Sequence, residues 1–220
     1  MRLRTLVAAL SLAASAACAS AAAAPTVVIP APTVDEVLAP KSDQKMAVFA
    51  GGCFWGIQAV YQHVKGVVMA TSGYSGGSPA TAHYELVGTG TTGHAESVQV
   101  IYDPSVVTYG TLLRVFFSVA HDPTEINRQG PDVGPQYRSA VFTANPDQEK
   151  IAKAYVAQID GASVFGRPIA TTVTPLEGFY VAEEYHQNYA TLHPNDMYIV
   201  INDAPKVRAL EKQFKELYKR

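Results

Sequence analysis

From residue 46 onward, short apolar runs alternate with apolar positions at helical spacing. Residues 46–50 form a continuous apolar run, read as a strand and stopped by Gly51-Gly52. A helix over 54–64 opens directly after those glycines, and 67–72 reads as a second strand before a Gly/Ser/Pro loop at 74–79. Over 97–102 apolar and polar positions alternate, with Val98, Val100 and Tyr102 on one face, so this stretch predicts a half-buried strand closed by Asp103-Pro104. Leu112, Leu113, Phe116, Phe117 and Ala120 recur at helical spacing over 109–119. A strand over 137–143 precedes Asn145-Pro146, a helix cap followed by proline at the first helical position. The helix beyond it carries Ile151, Tyr155 and Ile159 on one face. Residues 169–173 read as a last strand and 205–219 as a final amphipathic helix with Val207, Leu210, Phe214 and Leu217 inward. Interleaved strands and helices imply two layers, α/β or α+β, and pattern alone does not choose.

Length and composition place this chain among globular proteins. It has 220 residues, 48% of them hydrophobic and 16% charged, enough for one domain with a real core. Seventeen basic against nineteen acidic residues give a net charge of −2, without the basic excess that nucleic-acid binding needs. Two cysteines, Cys18 and Cys53, are too few for a disulfide framework or a Cys-rich zinc site.

The first 24 residues have the layout of a secretory signal: Arg2 and Arg4, an apolar run over 6–12, then alanine and serine with a small-residue exit at Ala19-Ser20-Ala21. The apolar run is too short to span a membrane. An exported, periplasmic protein is therefore expected. A lipoprotein anchored at Cys18 ranks second, because Ser15 stands where a bulky aliphatic residue is wanted. Residues 25–42 hold Pro25, Pro30, Pro32 and Pro40 and read as a Pro-rich extended linker, leaving 43–220 as a single domain. Removal of the leader would leave Cys53 as the lone thiol.

The densest chemical signal is Gly51-Gly52-Cys53-Phe54-Trp55-Gly56. The glycines allow a tight exit from the strand, and the cysteine falls at a helix start, where unpaired N–H groups favour an anion. A thiol there is expected to have a lowered pKa, beside an apolar wall of Phe54 and Trp55. Glu96, entering the strand at Ser97, suits a partly buried proton donor. The polar loop Asn127–Ser139 is a candidate site loop, and Glu183-Glu184-Tyr185-His186-Gln187 offers one Glu-x-x-His spacing where a di-iron bundle needs two. His186 reads as a hydrogen-bonded structural histidine. Gly88-Thr89-Gly90-Thr91-Thr92-Gly93 matches a dinucleotide fingerprint but leads into a strand rather than a helix, and His94-Ala95-Glu96 lacks the paired cysteines of a zinc deaminase. No metal is expected.

Taken together, Gly52-Cys53-Phe54-Trp55-Gly56, Gly93-His94-Ala95-Glu96, the Asn127–Ser139 loop and Glu184-Tyr185-His186-Gln187 resemble peptide methionine sulfoxide reductase A, in that family's order and over residues 46–198. The resemblance implies an α+β fold, a two-layer α/β sandwich with a ferredoxin-like core of mixed sheet packed by helices. It also implies reduction of the S epimer of methionine sulfoxide, free or protein-bound, in repair after oxidative damage. By that resemblance Cys53 is the nucleophile, Glu96 the proton donor, and Tyr84 and Tyr137 the phenols around the sulfoxide oxygen. Phe54 and Trp55 hold the substrate methyl group, and Asp132 belongs to the substrate loop.

The chain departs from many relatives in having no cysteine after Cys53; Gly88 stands where relatives often carry another. The expected reductant is therefore an external thiol, thioredoxin-like or glutaredoxin-like, with no cofactor, no nucleic acid and a monomeric chain. Two alternatives from other classes are a cysteine hydrolase or acyltransferase with His94 or His186 as base, and an exported binding module whose cysteine is merely buried.

Overall fold

A computed structural model describes residues 29–220; the leader expected over 1–24, and Cys18 with it, lies outside the described residues. In chain order the strands and helices are β1 (Lys45–Ala50), α1 (Phe54–Gln62), β2 (Val67–Ser75), α2 (Tyr84–Val87), β3 (Ala95–Tyr102), α3 (Tyr109–Val115), β4 (Arg128–Gln129), β5 (Asp132–Val133), β6 (Ala140–Thr143), α4 (Pro146–Gly161), β7 (Thr172–Pro175), β8 (Phe179–Val181), α5 (Tyr189–Leu192) and α6 (Ala204–Gln213). Six strands form one mixed sheet in the order β7-β6-β1-β3-β2-β8, and β4 and β5 make a separate two-stranded ribbon.

The middle four strands explain the class. β3 runs antiparallel to both β1 and β2, so β1-α1-β2 is a parallel pair split by β3. β6 is antiparallel to β1, so β3-α3-β6 is a second such unit interlocked with the first. This is the ferredoxin-like arrangement expected above, widened by β7, which joins β6 in parallel, and by β8 at the opposite edge. Period-two alternation sends Ala47, Phe49, Val98, Val100 and Tyr102 to one face, against Ile57, Tyr61, Leu112, Leu113, Ile151 and Leu210 of the helices. Val48, Ala50, Ala95, Ala140 and Phe142 make a smaller cluster on the other face. Glu96 lies two residues before Val98 and so extends the helix-facing row.

Several local expectations need correction. The loop expected from residue 74 is strand as far as Ser75, because Gly73, Tyr74 and Ser75 pair with β8. β8 itself was missed, since three residues are too few to show alternation. The strand expected over 137–143 is shorter, with a 3₁₀ turn at Pro135–Tyr137 before β6, and the one expected over 169–173 is displaced to β7. α3 passes into a π-turn over Phe116–Ala120. The last helix begins at Ala204 after another π-turn, Ile199–Asp203, and stops at Gln213. Beyond it the chain turns back to bridge Val64 through Tyr218. The α4 cap is as expected: the Asn145 side chain accepts the Gln148 N–H at 2.9 Å.

The described part of the expected linker has no regular structure, yet it lies on the domain. Ile29 is only 1% exposed in the main core. Tyr155 donates to Pro30 O at 2.7 Å, and Asp35 accepts the Thr108 hydroxyl and the Gly110 N–H at 2.6 and 2.8 Å. Glu36 accepts from the Tyr102 hydroxyl and the Tyr109 N–H at 3.0 and 2.9 Å. Both acids thus sit at the start of α3, where unpaired N–H groups and the helix dipole favour negative charge.

Candidate active site

β1 delivers the chain to α1 through Gly51 and Gly52. Gly52 has φ +93°, and a Cβ there would lie 2.6 Å from the Cβ of Gln129. Only glycine fits this corner without strain. Cys53 is the cap residue of α1, 8% exposed and unpaired with any other cysteine among the described residues. Because β3 is antiparallel to β1, its first residues lie beside the last of β1. Glu96 is thereby brought under the start of α1, where the Phe54 N–H donates to its Oε2 at 3.1 Å.

The electrostatics differ from those expected of a bare helix start. Burial raises the Cys53 pKa well above the usual thiol range, with the carboxyls of Glu96 and Asp203 adding to the rise. The Trp55 N–H and the Lys206 ammonium oppose it but do not prevail, and Cys53 makes no capping hydrogen bond. The expected lowering is overturned because desolvation outweighs the ends of a nine-residue helix. Burial also pushes Glu96 up, to about 8, even though the Phe54 N–H favours its ionised form. The free site therefore holds a neutral acid beside a neutral thiol at neutral pH.

Around this pair the sheet and loops gather phenols. Tyr84 and Tyr137 are half-buried, and burial raises both pKa values, with Glu96, Cys53 and Asp132 all within electrostatic reach. Both phenols therefore stay protonated, as donors. Asp132, on β5, accepts a hydrogen bond from the Tyr198 hydroxyl, and Tyr198 lies within reach of Cys53. Trp55 stacks on Tyr189 at 3.8 Å and meets Tyr198 edge-on at 5.9 Å; Phe54 is buried against Tyr74 and His186. The structure thus brings Cys53, Glu96, Tyr84, Tyr137, Phe54, Trp55 and Asp132 to one place.

Sequence reasoning missed several partners. Glu183 accepts the Tyr84 N–H at 2.9 Å and the Tyr74 hydroxyl at 2.8 Å, and so fixes the phenol of α2. Gln187 binds both backbone groups of Ser72 on β2, accepting at 3.0 Å and donating at 2.9 Å. Their segment stood out as a lone Glu-x-x-His spacing and as one motif of the family resemblance, but neither Glu183 nor Gln187 was given a role. Among the described residues no group of three or more His, Cys, Asp or Glu side chains is placed to hold a metal. Tyr198 marked the end of the resemblance and nothing more, and nothing in the sequence singled out Asp203 or Lys206.

Two histidines were candidates for a hydrolytic base. His94 Nδ1 accepts the Gly77 N–H at 3.2 Å, which leaves Nε2 to donate to Ser78 O at 2.9 Å. His186 is 2% exposed, packs on Phe54, Trp55, Tyr84 and Tyr185, and has no hydrogen-bond partner at either nitrogen. The hydrogen-bonded structural role expected for His186 is replaced by an aromatic one. Neither histidine is bonded to Cys53, so acyl transfer lacks its base.

Known proteins agree with this geometry. The model of the family described as "Peptide methionine sulfoxide reductase" matches residues 45–218. The chain is 57% identical to "Peptide methionine sulfoxide reductase MsrA 2" of Mesorhizobium japonicum, covering 84% of this chain and 94% of that one. It is 47% identical to a protein of the same description from Synechocystis, over 87% and 91%. Among solved structures, reduced Mxr1 from Saccharomyces cerevisiae aligns with TM-score 0.64 and 34% identity, covering 74% and 92%. Methionine sulfoxide reductase A of Corynebacterium diphtheriae aligns with TM-score 0.60 and 35% identity, covering 76% and 84%. With a thiol, a protonated carboxyl and phenols assembled at one helix start, and with family likeness over nearly the whole domain, the chain belongs to the peptide methionine sulfoxide reductases, oxidoreductases that repair oxidised methionine.

Proposed function

We propose that the chain reduces the S epimer of methionine sulfoxide, free or protein-bound, with Cys53 as nucleophile and Glu96 as proton donor. The observation that carries this reading is the Glu96 carboxyl, held protonated by burial under the helix start that bears Cys53. Cys53 Sγ attacks the sulfoxide sulfur while Glu96 gives its proton to the oxygen. Tyr84 and Tyr137 donate hydrogen bonds to that oxygen as charge develops on it. Trp55 and Phe54 supply the apolar wall for the methyl group, and Asp132 orients the substrate backbone. The net change is oxygen transfer: thiol plus sulfoxide gives Cys53 sulfenic acid plus thioether, the thiol sulfur losing the two electrons that the sulfoxide sulfur gains.

Regeneration uses two external thiols. The first attacks the sulfenic sulfur, forming a mixed disulfide and releasing water; the second displaces Cys53 as thiol and leaves the reductant oxidised. A thioredoxin-like or glutaredoxin-like protein fits this role, because Cys53 has no cysteine partner after residue 53. The basic start and small-residue exit of residues 1–24 support a removable leader and a periplasmic site of action. Turnover of the two sulfoxide epimers with dithiothreitol tests the reading. Methionine is expected from the S epimer only, and none from Cys53→Ser, whose hydroxyl stays protonated. Turnover by the serine variant would overturn the nucleophile assignment.

A further inference from the structure

α2 carries one of the two phenols of the reading above, yet little in its own sequence holds it in place. It is four residues long, with Val87 its one buried residue, and its cap residue His83 makes no side-chain capping hydrogen bond. A helix this short is not stable on its own, and its first N–H groups need partners from outside. The partner of the Tyr84 N–H is Glu183 Oε1 at 2.9 Å, 99 residues along the chain. At the other end the Gly88 carbonyl accepts from Gln136 Nε2 at 3.2 Å. Gln136 is 6% exposed and stands next to Tyr137, the second phenol, in the 3₁₀ turn Pro135–Tyr137.

Glu183 is itself tied to the sheet. Its Oε2 accepts the Tyr74 hydroxyl at 2.8 Å, and Tyr74 stands directly opposite Glu96 in the β2–β3 pairing. The neighbouring Ala182 N–H donates to Ser72 O at 3.0 Å, which keeps this segment on β2. From the 3₁₀ turn that follows, Glu184–His186, the His186 ring packs on the Tyr84 ring at 4.3 Å and Tyr185 meets it edge-on at 6.5 Å. One carboxylate therefore spans from the strand beside the acid to the first residue of the helix that bears the phenol. We propose that Glu183 and Gln136 are positioning residues: they clamp α2 at its two ends and so hold the Tyr84 hydroxyl against the sulfoxide oxygen that Glu96 protonates. A donor preorganised in this way stabilises charge on the oxygen without rearranging during the reaction. The inference rests on Tyr84 as an oxygen donor, so its test varies the clamp both with and without that hydroxyl.

The measurement is the single-turnover rate of methionine release from the S sulfoxide, with KM taken separately from steady-state turnover with dithiothreitol. Glu183→Ala removes both hydrogen bonds and should lower the rate about ten-fold with KM within about two-fold of the parent; losing an oxygen donor outright costs about 10²–10³-fold. Glu183→Gln keeps a carbonyl oxygen for the Tyr84 N–H and an amide N–H for the Tyr74 oxygen, and should recover most of that loss. In a Tyr84→Phe background, already slowed, Glu183→Ala should cost less than about two-fold more, because the two changes remove the same interaction. Circular dichroism and melting temperature check that each variant is folded. Should Glu183→Ala not fold, Gln136→Ala, which frees the other end of α2, is read by the same criteria. A folded clamp variant at the parent rate, or one whose loss persists in full without the Tyr84 hydroxyl, would overturn the proposal while leaving the donor reading intact. A Tyr84→Phe variant as fast as the parent would instead overturn the donor reading, and the clamp with it.

Discussion

The backbone N–H of Phe54 donates to the carboxyl of Glu96 at 3.1 Å, tying the first residue of α1 to the second residue of β3. This bond fixes the acid under the helix start that carries Cys53, at the place where a sulfoxide oxygen must be protonated. Glu96→Gln keeps an acceptor for Phe54 and a donor for substrate but has no acidic proton. The rate of the first half-reaction should fall roughly 10²–10⁴-fold with KM little changed. A glutamine variant that ran at the parent rate would move the proton source to Tyr84 or Tyr137.

The raised pKa of Glu96 also predicts a pH dependence. Its carboxyl titrates near 4.5 when unfolded and at about 8 in the fold. Between those values the native state holds a proton that the unfolded state has lost, so stability declines as pH rises through the window. The slope is at most about 1.4 kcal/mol per pH unit. Urea unfolding of the parent and of Glu96→Gln at several pH values should show that decline in the parent alone. The acid's contribution to rate should likewise fade above about pH 8, where Glu96 ionises.

The Tyr198 hydroxyl donates to Asp132, which joins the π-turned C-terminal segment to the β4–β5 ribbon. A hydrogen bond to an ionised group contributes about 1.5–3 kcal/mol. Tyr198→Phe and Asp132→Asn should each raise KM for a sulfoxide peptide about ten-fold or more, and the double variant should do little worse than either. Strict additivity in that cycle would mean the two side chains act separately.

Residues 29–39 behave as part of the domain. A chain beginning at residue 43 loses the burial of Ile29, worth about 1.5–3 kcal/mol, and the hydrogen bonds of Asp35 and Glu36, worth about 1 kcal/mol each. Its stability to urea should fall by about 3 kcal/mol or more relative to a chain beginning at residue 29. Equal midpoints would show that the segment is only a spacer.

Regeneration gives a stoichiometric prediction. A chain beginning at residue 25 has Cys53 as its only thiol, so without reductant it should release at most one methionine and then take up one dimedone at Cys53. A second methionine per chain would exclude a one-cysteine cycle.

What the sequence determined by itself is local. Gly51-Gly52 ended β1, the alternation of Val98, Val100 and Tyr102 marked β3, and Asn145-Pro146 set the start of α4, because each depends on a few adjacent backbones. The order of motifs around Cys53, Glu96 and Tyr137 carried the family for the same reason. The tertiary structure alone decided the rest. Tyr198 reaches Asp132 across 66 residues and Glu183 reaches Tyr84 across 99, and no period along the chain encodes such pairs. The direction of the Cys53 shift was decided there too. A helix start favours the thiolate through neighbours in sequence, but desolvation depends on everything packed around the sulfur, and here it dominates. Gly56 read as one glycine of a motif; only with Asp203 and Lys206 folded against α1 does the missing side chain become room for a charge pair.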